Sequence, residues 1–266
     1  MIINPEWTDV GEDRVPAGQA MGATPREDSY GDSFRTFADS IEVIGRSKWR
    51  ELSESESVKS LVRKIKNQQR WPSCTANAGV QGFEICWNLT FGPEQWIEFS
   101  PISVYKHCGN ATSGSSVSCI ARTLQTVGCL PADTPGNREW MRFNGLDPDH
   151  VMDAVDYRDS YPRGYEETAA LFRLDEAYDI DSFDEFMTSL LNGWPVLYGR
   201  HGHAILGVRG VQDSRGRWHS EYANSWHHTW GNEGYGYDSE SYLMPSVRRY
   251  GAVGFRSVHV PDFMAA

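Results

Sequence analysis

Asn224-Ser225-Trp226-His227-His228-Thr229-Trp230-Gly231-Asn232-Glu233-Gly234-Tyr235 is the stretch on which the reading of this 266-residue chain turns. It closes WHSEYANSW, residues 218–226, which reads as a strand, and the glycines behind it read as turn. PVLYG (195–199), HAILGVRGV (203–211) and YGYDSESYL (235–243) read as further strands, joined by Gly- and Asp-rich turns. Asn224 therefore falls on a late strand, where a buried Asn commonly satisfies backbone groups.

The chain before Pro195 reads as helix. From Cys74 to Asn88, Ala76, Val80, Phe83 and Trp87 recur at helical spacing. Gly79 and Gly82 each cost such a helix about 1 kcal/mol against Ala, which points to close packing against another element. Ser118–Val127 and Ser182–Asn192 read as two more helices. Ile120, Ala121, Leu124 and Val127 share a face of the first; Phe183, Phe186, Met187 and Leu190 share a face of the second. Gly193 is a stop signal. SESESVKSLVRKI, residues 53–65, suggests a helical turn or two, and residues 1–40, rich in Gly, Pro, Asp and Ser, an extended arm or strap. Helices followed by strands give an α+β class. No repeat or low-complexity tract is present.

Composition bounds the function. The aromatic share of 12%, with 10 Trp, argues against disorder. The net charge of −11 disfavours a nucleic-acid groove and a polybasic membrane contact. The start MIINPEWTDVGEDR lacks a signal-peptide pattern, and no apolar run approaches the ~20 residues of a membrane span. The expectation is a cytoplasmic protein, or one released or packaged without a signal peptide. Cys74, Cys86, Cys108, Cys119 and Cys129 are odd in number, and reduced thiols are the default in that setting.

Cys74 differs from the other four by its position. At a helix start, unpaired amides and the helix dipole favour a thiolate. A thiolate needs a base and a group to orient that base. His203, at the head of HAILGV, and Asn224 supply those types. His201 stands two residues earlier; on an extended strand it shares a face with His203 and lines the same cleft. An HxH pair also raises a metal site, but no Cys or carboxylate partner stands at ligand spacing, so no metal and no cofactor is expected.

These stretches together resemble the papain-like cysteine proteases. Asn67-Gln68 before Ser73-Cys74 is similar to the family's nucleophile segment. SPISVYKHC (100–108) and SGSSVSCIARTLQTVGCLP (113–131) resemble the segments that follow it. NGWPV (192–196), HAILGVRG (203–210), NSW (224–226) and WGNEGY (230–235) resemble its histidine and asparagine strands. The likeness spans roughly residues 67 to 245.

The resemblance implies a papain-like two-lobed α+β fold, with a helical left lobe, an antiparallel β-barrel-like right lobe and a cleft between them. Residues 1–60 would be an extension or strap, or a shortened prosegment, with possible docking through it. Residues 61–266 would be the catalytic domain, its helical lobe about 61–190 and its strand-rich lobe about 191–260. The implied activity is hydrolysis of a peptide or protein substrate through a Cys74–His203–Asn224 triad and a thioester. Gln68 and the Cys74 amide would form the oxyanion hole, and Trp226 would shield the His–Asn contact. Thr75, Trp226, His201, Gly202 and Gly114 would contact substrate. Neither nucleic acid nor membrane is implied as a partner.

Several positions depart from the family. Thr75 replaces a Trp, Trp71 a Cys, Pro72 a Gly and His227 a Gly. The cleft walls are rebuilt, so substrate preference does not carry over. Two alternatives stay open: a papain-fold structural or binding component of a larger assembly such as a viral particle, and another thiol-dependent acyl transfer such as deamidation or cell-wall peptide hydrolysis.

Overall fold

The helices led by Ser100, Ser116, Thr134 and Ser182 start where a short polar side chain takes a free amide. Ser116 Oγ accepts from Cys119 N, and Ser182 and Glu185 form a reciprocal capping box. The computed structural model describes residues 3–11, 14–26, 34–55 and 57–264. Its helices are α1 (Phe37–Ser40), α2 (Trp49–Ser55), α3 (Cys74–Phe91), α4 (Pro101–Cys108), α5 (Val117–Thr126), α6 (Pro135–Phe143), α7 (Tyr165–Leu171), α8 (Phe183–Leu191) and α9 (Glu240–Tyr250). Its strands are β1 (Arg35–Thr36), β2 (Leu174–Asp179), β3 (Val196–Arg200), β4 (His203–Gln212), β5 (Trp218–Ala223), β6 (Tyr235–Ser239) and β7 (Ala252–Val258).

α3 is the axis of the fold and is buried from Cys74 to Asn88. Its glycines are close-approach points. A Cβ at Gly79 would lie 2.6 Å from Ile120 Cγ2 on α5, and one at Gly82 would lie 2.9 Å from Phe255 Cδ2 on β7. The helix thus trades propensity for contact on two sides.

The strands form one seven-stranded sheet in the order β1-β2-β7-β3-β4-β5-β6. β1 pairs parallel with β2, and the other pairs are antiparallel. β1 and β6 are its two edges, so the sheet is open and the expected barrel-like closure is not formed. One core packs α3 and α5 against the sheet around Trp87, Phe99 and Phe255. The other gathers Trp49, Phe186, Tyr222, Trp226 and Trp230 with α8 and α9. The α+β class stands.

Three local expectations change. WHSEYANSW is a strand only to Ala223, so Asn224 follows β5 rather than lying on it. YGYDSESYL is a strand only to Ser239; Glu240 begins α9, where an acidic residue in the first turn complements the helix dipole. Helix α2 starts at Trp49, before the expected 53–65 stretch, in which Lys59–Leu61 is a 3-10 turn. The fully buried Trp49, whose indole Nε1 donates to Ile44 O at 2.8 Å, pins the earlier start.

The N-terminal residues follow the strand-rich lobe and then cross between the lobes. Asp9 N donates to Tyr237 O at 2.8 Å, and Asp9 accepts from Ser239 N at 2.7 Å. Trp230 Nε1 donates to Arg14 O at 3.2 Å. Among the described residues, no helix is long and apolar enough to cross a membrane.

Candidate active site

Cys74 is the first residue of α3, and its thiol is fully buried. The amides of Ala204, Gly22, Thr75 and Cys74 itself face the sulfur. Burial pushes the thiol up to about 11, and those amides only partly offset it.

His203 heads β4 immediately after a two-residue turn. Arg200 and His203 form the last pair of the β3–β4 hairpin, and His201 and Gly202 both have positive φ, 42° and 76°. Such a pair is the usual tight connection between right-twisted strands, with Gly at its second position. His201 therefore sits in the turn rather than on the strand, and the same-face argument does not apply. It is exposed, its ring tilted 4.9 Å from Tyr242, at the rim of a small cavity also lined by Met21, His203 and Trp226.

His203 Nε2 lies 2.7 Å from Asn224 Oδ1. The same oxygen accepts the Ser225 amide at 2.7 Å. An oxygen that already accepts a backbone N–H requires Nε2 to be the protonated nitrogen, which leaves the Nδ1 lone pair free. Nδ1 has no hydrogen-bond partner. Burial drives the imidazole down to about 3; the Asn224 contact opposes this and the Arg200 charge adds to it. Burial thus disfavours both the thiolate and the imidazolium in this state.

Trp226 stacks on the His203 ring, centroids 4.2 Å apart and planes 25° off parallel. The shielding expected of Trp226 is thus a face-to-face cover on the imidazole. His227 holds a φ of 70°, a left-handed conformation that a glycine adopts without strain.

A short zipper positions Gln68. Gln68 N donates to Ser225 O at 2.9 Å, and His227 N donates to Lys66 O at 3.2 Å. Ser225 Oγ donates to Gln68 Oε1 at 2.6 Å, which turns the amide nitrogen the other way. Below, the buried Lys66 Nζ meets Glu84 Oε1 at 2.6 Å, tying this segment to α3.

Gln68 Nε2 donates to Trp71 O at 2.9 Å and to Ala20 O at 2.8 Å. Ala20 belongs to the N-terminal arm, which runs through the cleft. Gly22 presents its amide to the Cys74 sulfur, and Ser115 N donates to Gly22 O at 2.8 Å. Ala23 N donates to Gly202 O at 2.8 Å, and Thr24 N donates to Ser115 O at 2.9 Å. Ala23 and Ser115 thereby form a parallel bridge. Gly22 is needed here, because a Cβ would lie 2.0 Å from Pro72 O.

The fold brings Cys74, His203, Asn224, Gln68, Thr75, Gly202 and Trp226 to one cleft. Thr75 offers its amide to the sulfur, while its buried Oγ1 has no partner. Gly114, with φ of 82°, allows close approach: a Cβ there would lie 1.8 Å from Gly22 O. The hydrogen bonds to the arm come from its neighbour Ser115. Sequence reasoning overlooked Ser115, Ala20 and Gly22; the SGSS turn marked the first, and nothing periodic marked the arm. Among the described residues, no three His, Cys, Asp or Glu side chains gather as a metal site.

No family model and no curated protein matches the chain. Solved structures do. Xylellain, a cysteine protease from Xylella fastidiosa, is 17% identical with a TM-score of 0.61, over 94% of this chain and 100% of its own. Digestive procathepsin L 3 of Tenebrio molitor is 15% identical with a TM-score of 0.59, over 87% and 77%. Recombinant stem bromelain precursor is 14% identical with a TM-score of 0.53, over 91% and 78%. The open sheet packed on α3, with the cleft at the head of that helix, is the papain-like cysteine protease fold.

Proposed function

We propose that the protein is a cysteine peptidase held covered by its own N-terminal arm. One observation carries this reading: the cleft at Cys74 binds a stretch of peptide backbone. Gln68 takes a carbonyl, Gly202 takes an amide, and Ser115 takes one of each. A site that grips main-chain groups in extended conformation is fitted to a peptide substrate.

The chemistry follows from the neutral tautomer. His203 Nδ1, the free base, takes the proton of Cys74 as the sulfur attacks a peptide carbonyl carbon. The carbonyl electron pair moves to oxygen, stabilised by Gln68 Nε2 and the Cys74 amide. As that oxyanion collapses, the C–N bond breaks and the imidazolium gives its proton to the departing amine. A water that His203 deprotonates then attacks the thioester carbon, the C–S bond breaks, the carboxylic product leaves, and the Cys74 sulfur takes the proton back from His203. Asn224 keeps Nε2 engaged throughout, so that Nδ1 stays aimed inward.

Several structures of similar fold are titled as precursor or pro forms, among them procathepsin L 3 and the bromelain precursor. In this chain, residues 14–26 fit the role of a blocking segment through their contacts with Gln68, Ser115 and Gly202. The competing reading, a papain-fold protein that binds without catalysing, is favoured by the two neutral, desolvated groups.

The test uses Gly22→Leu, whose side chain cannot fit against Pro72. With a mixed quenched-peptide library, Gly22→Leu should cleave peptides, and Gly22→Leu/Cys74→Ala should not. A Gly22→Leu protein whose Cys74 alkylates readily but which cleaves nothing would establish the binding reading instead.

A further inference from the structure

Past Thr24, the arm places one charged side chain into the junction of the two lobes. Arg26 N donates to Arg249 O at 2.9 Å, and the Arg26 side chain runs past Gly251, the residue between α9 and β7, to reach Asp179. Its Cδ lies 3.9 Å from where a Gly251 Cβ would stand, with Val117 Cβ and Ser118 Oγ at 4.0 Å from the same point. All three lie at ordinary van der Waals distance from that point, so Gly251, with φ of 88°, borders the Arg26 stem closely.

Asp179, at the end of β2, is the floor. Its side chain is 5% exposed, and Arg26 Nη2 meets its Oδ2 at 3.0 Å. Asp181, 68% exposed, stands at the mouth, with Arg26 Nη1 at 3.8 Å from its Oδ1. The two guanidinium nitrogens therefore address two carboxylates at once, which a planar fork does and an ammonium does not. Burial holds the Asp179 carboxyl up at about 6, with Arg26 pulling the other way. A buried carboxylate is costly without a cation beside it.

This passage continues the backbone-binding track, two residues beyond the Thr24–Ser115 contact. Resting on the reading of the cleft as a peptide site, we infer that the passage between Val117, Ser118 and Gly251, floored by Asp179, is a subsite for an arginine side chain of the substrate, and that Arg26 occupies it while the arm is in place. The arm then blocks the cleft by main-chain contacts and by filling the pocket that selects substrate.

Two measurements separate this inference from the peptidase reading. The first needs no activity. In the full chain carrying Arg26→Ala, ethylguanidinium should raise the melting temperature saturably, as a ligand of the folded state does. Ethylammonium should act more weakly and N-ethylacetamide not at all. The effect should be absent from wild type, whose pocket is filled, and from Arg26→Ala/Asp179→Asn. An equal response to ethylguanidinium and N-ethylacetamide, or an equal response in wild type, overturns the subsite. Should Asp179→Asn fail to fold, the comparison of probes on Arg26→Ala alone decides.

The second measurement uses Gly22→Leu and peptides with Arg, Leu or Glu stepped through each position around the scissile bond. Arg should exceed Leu in kcat/KM at one position by about tenfold or more, the size of one charge-assisted contact. Adding Asp179→Asn should collapse that ratio. Cleavage without an Arg preference overturns the subsite and leaves the peptidase standing. Ethylguanidinium binding with no peptide cleaved sinks the peptidase and keeps the guanidinium pocket.

Discussion

Gln68 Nε2 donates to the carbonyl oxygen of Ala20 at 2.8 Å. The side chain proposed to stabilise a developing oxyanion is thus engaged by the protein's own backbone, with the Gly22 amide two residues on against the Cys74 sulfur. Occupancy of the cleft by the arm sets the behaviour of every group in it.

Displacing the arm should expose the nucleophile. In Gly22→Leu, iodoacetamide should label Cys74 at least tenfold faster at neutral pH than in wild type, because the new side chain cannot coexist with Pro72 O. Peptide mapping by mass spectrometry reads the site. Equal rates in the two proteins would mean that the arm does not limit access.

The pH dependence of the same labelling tests the electrostatics. In wild type the rate should climb towards about 11, well above an ordinary thiol near ~8.5, because the sulfur is desolvated. In Gly22→Leu the midpoint should fall, since water returns and the start of α3 favours the thiolate. A wild-type midpoint below ~8.5 would refute the covered, neutral thiol.

His203 gives a signed effect on stability. Its folded value is about 3, against ~6.5 for a free imidazole. The unfolded chain therefore takes up a proton between these values that the folded chain refuses. The stabilisation is complete above ~6.5 and is lost as pH falls towards 3. Asp179 and Asp238, each raised to about 6 by burial, act in the opposite sense, so the comparison must be with a variant. Urea titrations should show wild type losing up to about 1.4 kcal/mol per pH unit more than His203→Gln across this window. Parallel curves would place His203 in water.

Substitutions around the cleft should separate roles. On the Gly22→Leu background, Gln68→Ala should lower kcat by about 10²–10³, the usual loss for one oxyanion donor. Trp226→Ala should lower kcat less and shift the acidic limb of the pH–rate profile upward, because the His203 ring loses its cover. A Gln68→Ala change confined to KM would assign that residue to ground-state binding.

Lys66 and Glu84 hold the segment that carries Gln68. Lys66→Met should cost about 3–5 kcal/mol, as a lone buried carboxylate is left behind. Lys66→Met/Glu84→Leu should recover only part of this, because Phe99 N also loses its acceptor, Glu84 Oε1 at 2.8 Å. Thermal melting of the two variants measures the difference; full recovery would show that the Phe99 contact contributes nothing.

Helix α3 was legible because Ala76, Val80, Phe83 and Trp87 recur at helical spacing and its glycines mark close contacts. The end of β6 was not, because Ser239 is both the last strand residue and a partner of Asp9, more than two hundred residues away. His201 was misplaced for a similar reason: only the hairpin register puts it in a turn with positive φ.

Sequence alone placed α3, α5, α8 and the strands β3 to β6 in order, and it picked out Cys74, His203, Asn224 and Gln68 as candidates. Local spacing and residue type record which strand or helix end each side chain occupies. Tertiary structure decided what fills the cleft. Residues 14–26 have no periodicity of their own, and their place rests on main-chain hydrogen bonds to Ser115 and Gly202 and on the Arg26–Asp179 pair. Contacts made by backbone groups, or by residues 153 positions apart, leave no pattern along the chain.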